Sequence, residues 1–115
     1  MHIDIQSADF DVTDALRNHI ERRLKFALSF CNQHIQRVVV RLSDINGPRA
    51  GPDKSCSIQV KLVGLQDVIV NDIETDLYVA IDRAANRAGR TARRRLTRRR
   101  DLARSSFPEV TLGTQ

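Results

Sequence analysis

Nine arginines and no acid occupy the eighteen positions of RAANRAGRTARRRLTRRR, residues 83–100. A guanidinium is planar, permanently charged and presents paired N–H donors, which suits it to gripping phosphate or carboxylate oxygens two at a time. The spacing is ordered. With ~100° between successive residues, Arg83, Arg87, Arg90 and Arg94 fall within a helical band of roughly 60°. Steps along that ridge rise about 4.5 to 6 Å, similar to the distance between neighbouring phosphates on a nucleic-acid strand. Like charges at these spacings cost an isolated helix about 0.2–0.5 kcal/mol per pair, and a bound polyanion would offset the repulsion. A second basic surface lies earlier in the chain: Arg17 and Arg23 flank an apolar stripe, Arg22 and Lys25 face outward, and Glu21 is the one acid between them.

Other reactive residues fall into no catalytic pattern. His2, His19 and His34 lack metal-ligand spacing, and no Gly-rich phosphate loop, nucleophile motif or helical H-E-x-x-H occurs. Cys31 and Cys56 have no C-x-x-C spacing and read as reduced, partly buried thiols. Asp72, Glu74, Asp76 and Asp82 form an acidic cluster, which strand-end solubility and the dipole of the following helix explain. Tyr78 beside it is suited to core packing at the sheet edge, or to stacking on a base. These residues predict no enzyme, no cofactor, no metal and no small-molecule substrate.

The charge is unevenly placed. Residues 76–104 hold ten arginines against Asp76, Asp82 and Asp101, a balance of +7 in a chain of net charge +5, which leaves −2 elsewhere. Such a segment predicts a polyanionic partner. A membrane-surface helix needs bulky apolar residues opposite its charges, and here that face is mainly alanine. No apolar run approaches the ~20 residues of a membrane span, and MHIDIQSADF lacks the pattern of a signal peptide, so the expected location is cytoplasmic.

Positioning these residues takes one domain, the expectation for 115 residues. HIDIQ, residues 2–6, alternates as a short strand. From Thr13, a good N-cap, Leu16, Ile20, Leu24, Ala27 and Leu28 follow helical spacing, predicting a helix from Asp14 to Phe30. Strands follow at residues 35–42, 55–62 and 67–74, with a Gly/Pro loop at 44–54 and a tight turn around Gly64. A second helix starts near Thr75 or Asp76, with Leu77, Ile81, Ala84, Ala85, Ala88 and Ala92 on its buried face. Arg95 and Arg99 continue that face, and because burying an unpaired charge is costly, the helix is expected to leave the sheet beyond Ala92. The outcome is an α+β fold of order βαβββα, two helices on one face of a four-stranded sheet. Residues 1–104 form the expected domain and 105–115 a flexible C-terminal tail.

The order, with ALR at residues 15–17 and DLYVAIDRAANRAGRTARR at 76–94, resembles the short ribosome hibernation-promoting factors, also called ribosome-associated inhibitors or ribosomal subunit interface proteins. The similarity covers about residues 1–100. It implies a fold like that of double-stranded-RNA-binding domains. It also implies binding to ribosomal RNA of the small ribosomal subunit, in the channel for messenger and transfer RNA, under stress or in stationary phase. By position, Arg87, Arg90 and Arg94 match the family's basic residues after its D-M-Y-A-A-I-D signature, and Arg17 and Arg23 match those of the first helix. The expected contact set is Arg17, Arg22, Arg23, Lys25, Arg83, Arg87, Arg90 and Arg94. A general double-stranded-RNA module and a protein-interaction adaptor stand as alternatives, although Asp76 opens the second helix where RNA modules usually present lysines.

Overall fold

A computed structural model describes residues 1–8, 10–45 and 53–111, with side chains described as far as Arg100. The elements run β1 (Ile3–Ser7), α1 (Asp14–Leu28), a 3-10 turn (Ser29–His34), β2 (Ile35–Asp44), β3 (Lys54–Leu62), β4 (Val68–Glu74) and α2 (Leu77–Thr111). This is the expected βαβββα order.

Thr13 starts α1, its Oγ1 accepting from the Leu16 N–H at 3.1 Å, so the side chain satisfies a donor the helix leaves open. The α-helix ends at Leu28, two residues before the expected Phe30, and tightens into the 3-10 turn that leads to β2. The sheet order is β1-β2-β3-β4. β1 pairs parallel to β2, with Ile3 opposite Val38, and α1 is the crossover this geometry requires. β2, β3 and β4 form an antiparallel meander. The β3–β4 turn places Gly64 at φ 73°, a left-handed conformation that glycine adopts without steric cost.

A single core joins the layers. Val38, Val40 and Leu42 of β2 and Cys56, Ile58, Val60 and Leu62 of β3 are buried with Leu16, Ile20, Leu24 and Leu28 of α1. α2 adds Ile81 and five alanines, Ala80, Ala84, Ala85, Ala88 and Ala92, all fully buried. Small side chains let this helix lie close to its neighbours. Gly89 goes further: a Cβ there would meet the Ala27 carbonyl oxygen at 2.8 Å.

One expectation is overturned. The helix does not turn its Arg95 and Arg99 away from the sheet; both reach down onto the β3–β4 turn. Arg95 donates to the carbonyls of Gln66, at 2.9 Å, and Asp67, and Arg99 donates to that of Val63 at 3.2 Å. The turn supplies acceptors at the point where the apolar face runs out, so both guanidiniums find hydrogen-bond partners. α2 keeps helical backbone to Thr111, which includes residues 105–111 of the expected tail. Most of the Gly/Pro loop, residues 46–52, lies outside the described residues, as do residues 112–115.

Candidate nucleic-acid interface

The arginine ridge divides into two halves. Arg83 Nε lies 3.3 Å from Glu74 Oε2 and 3.8 Å from Asp72 Oδ2, and Arg87 Nη1 lies 3.5 Å from the same Asp72 oxygen. Arg87 also donates to the Asn71 carbonyl at 2.8 Å. The inward-facing acids of β4 thus neutralise the first half. Arg90 is exposed and has no side-chain partner among the described residues, while Arg94 donates only to Thr91 Oγ1, at 3.3 Å. That half is open to an external anion.

On α1 the expected residues separate in the same way. Arg17, Arg22 and Lys25 are exposed, with no partner among the described residues. Arg23 is turned toward α2, where its Nε lies 3.2 Å from Asp82 Oδ1 and its Nη2 donates to Asn86 Oδ1 at 3.3 Å. His19 Nε2 shares a 2.7 Å hydrogen bond with the same Asp82 oxygen, and its ring meets Tyr78 edge-on at 4.8 Å. Asp82 therefore ties the two helices together. Tyr78 packs on this histidine, in place of the core position at the sheet edge that the sequence favoured. Asp76 accepts from the Tyr78 N–H at 2.9 Å, so it caps α2.

Two aromatic residues join the site only in the structure. Phe26 is 76% exposed and Phe30 38%, and both line a depression of about 400 Å³ between the helices. Ala27, Ser29, Asn86, Gly89, Arg90 and Arg93 complete its wall. Arg93 lies over the Phe30 ring, 4.0 Å from its centre, a cation–π contact. Phe26 could have been noticed: it falls about 200° from Leu24 on the α1 wheel, an aromatic among Arg22, Arg23 and Lys25.

Neither thiol is placed for chemistry. Cys31 and Cys56 are free and buried. Burial raises the pKa of both, and with Asp72 nearby that of Cys56 is pushed up to about 12. Among the described residues, no group of three or more His, Cys, Asp and Glu could hold a metal ion, and no helix is long and apolar enough to cross a membrane.

A mixed sheet covered on one face by two helices, with exposed cations on both helices that have no partner among the described residues, defines an α+β protein with a cationic helical surface. Residues 3–100 match the family described as Sigma 54 modulation protein / S30EA ribosomal protein, and the chain belongs to that family. Among solved structures it is similar to the Protein Y N-terminal domain of Thermus thermophilus, with 31% identity, a TM-score of 0.68, and coverage of 82% of this chain and 98% of that one. It shares its fold with a ribosomal subunit interface protein from Coxiella burnetii, at 23% identity and a TM-score of 0.67, covering 79% of this chain and 92% of that one. No curated protein matches the sequence.

Proposed function

We propose that this protein is a non-enzymatic, cytoplasmic translation inhibitor that binds the small ribosomal subunit through its RNA. It would occupy the messenger and transfer RNA channel in stressed or stationary cells, with residues 1–104 sufficient for binding. The observation that carries this reading is the set of exposed cations Arg17, Arg22, Lys25 and Arg90, without partners among the described residues, on two helices sharing one sheet face. Family membership and the name of the Coxiella burnetii neighbour support a ribosomal partner. Arg94 extends the open half of the ridge. Arg83 and Arg87 contribute once phosphates displace Asp72 and Glu74, and Arg23 chiefly holds the groove in shape.

Co-sedimentation with small ribosomal subunits at about physiological salt, with excess duplex RNA as competitor, tests the proposal, because both suppress nonspecific phosphate binding. Stoichiometric binding is expected to survive the competitor. The R90E/R94E variant should fold normally and lose binding at least tenfold. Loss of the wild type to the competitor would leave a general RNA binder. Association insensitive to ribonuclease would favour a protein adaptor.

A further inference from the structure

The depression between the helices is unlike the rest of the basic surface. Elsewhere the exposed cations either meet acids or carbonyls, as Arg83, Arg87 and Arg99 do, or stand in solvent, as Arg17, Arg22 and Lys25 do. Here a largely exposed phenyl ring, Phe26, and a half-exposed one, Phe30, line one cavity with two guanidinium-bearing residues, Arg90 and Arg93, and no acid borders it. Phe26, 76% exposed on the outer side of α1, serves no core. We propose that this depression is a pocket for one unstacked nucleotide of ribosomal RNA: the base stacks on Phe26, and Arg90 takes the adjoining phosphate.

This inference rests on the proposed RNA partner and adds base capture to it. Size fits, since about 400 Å³ lies near the lower end of small-ligand pockets and exceeds the volume of a single base. Charge fits as well. A protein partner would have to bring both an apolar group and a carboxylate, whereas a nucleotide presents a π face and a phosphate in one unit. Arg93, held over Phe30, forms a flat cationic wall against which the base edge can rest. Bases paired in a helix have no free face, so the pocket selects a bulge, loop or flipped residue. Because every base has a π face, the preference among bases is expected to be weak.

The chain contains no tryptophan, so the F26W variant introduces a single indole, at the pocket. Its indole should be quenched when small ribosomal subunits are added, and F26W should bind at least as tightly as wild type. F26A should bind about tenfold more weakly, in keeping with loss of one stacking contact. Its salt dependence should be unchanged, because no charge is lost. Short-wave ultraviolet cross-linking of the wild-type complex, followed by ribonuclease and peptide mapping, should leave a nucleotide adduct on the Phe26 peptide. Wild-type affinity for F26A with an unquenched F26W indole would overturn the pocket while leaving the ribosomal reading intact. A ribosomal-protein adduct on that peptide would overturn it in favour of a protein contact. Failure of the wild type itself to bind subunits would refute the proposed function and the pocket with it.

Discussion

Replacing Gly89 by alanine sets helix propensity against packing, and the structure decides the sign. In isolation α2 would gain about 0.8–1 kcal/mol, because alanine is the better helix former. In the fold, the new Cβ would meet Ala27 carbonyl oxygen at 2.8 Å, Ala27 Cβ at 3.3 Å and Ala27 carbonyl carbon at 3.4 Å. The obstructing atoms are mainly backbone of the facing helix and cannot rotate aside, so the helices must move apart by a few tenths of an ångström. Overpacking of this kind costs about 1–3 kcal/mol, which leaves G89A destabilised by about 1 kcal/mol net. For a domain of this size that is a fall of about 4 °C in the melting temperature. Urea unfolding followed by circular dichroism measures it, with the midpoint expected to drop and the slope to stay constant. A G89A protein more stable than wild type by about 1 kcal/mol would refute close helix contact at this position.

Two further outcomes follow from the polar network and the core. The D72N/E74Q variant should bind small ribosomal subunits several-fold more tightly, because it releases Arg83 and Arg87. It should also lose less than about 1 kcal/mol of stability, since the Arg83 and Arg87 side chains are 63% and 48% exposed and water screens their ion pairs; filter binding across a salt series checks the first effect and chemical denaturation the second. Cys56 should resist thiol reagents at neutral pH until the protein unfolds. Because its folded pKa of about 12 exceeds the ordinary 9.0, the unfolded thiol ionises first, so its contribution to stability is complete below pH 9 and declines as pH rises toward 12. Comparing denaturation of wild type and C56A across that range isolates the contribution.

Most of the fold was legible because its signals are local and periodic. The α1 stripe, the alternation of β3 and the alanine face of α2 each repeat within one element, and each is buried as its period requires. The contact residues were legible only as positions on a wheel. That Asp72 and Glu74 would reach Arg83 and Arg87 depends on how β4 lies against α2, which no spacing within either element encodes. The placement of Arg95 and Arg99 is hidden for the same reason: the cost of burying a cation depends on turn carbonyls that only the three-dimensional structure brings to it. Phe26 is legible as an aromatic among cations on the α1 wheel, but its place in a groove appears only when the second helix walls it in.

The Asp82 clamp also bears on the order of events during synthesis. His19 and its partner Asp82 are 63 positions apart, and Arg23 and Asn86 are separated by the same distance. A growing chain can complete α1 and the meander while the groove between the helices still lacks one wall. Before α2 joins, residues 1–75 hold nine Lys and Arg against ten Asp and Glu, a net charge of −1, and the arginine-rich wall of the groove is added in a single late step. Under the proposed function, RNA binding is thereby tied to chains in which every strand of the sheet has already been synthesised.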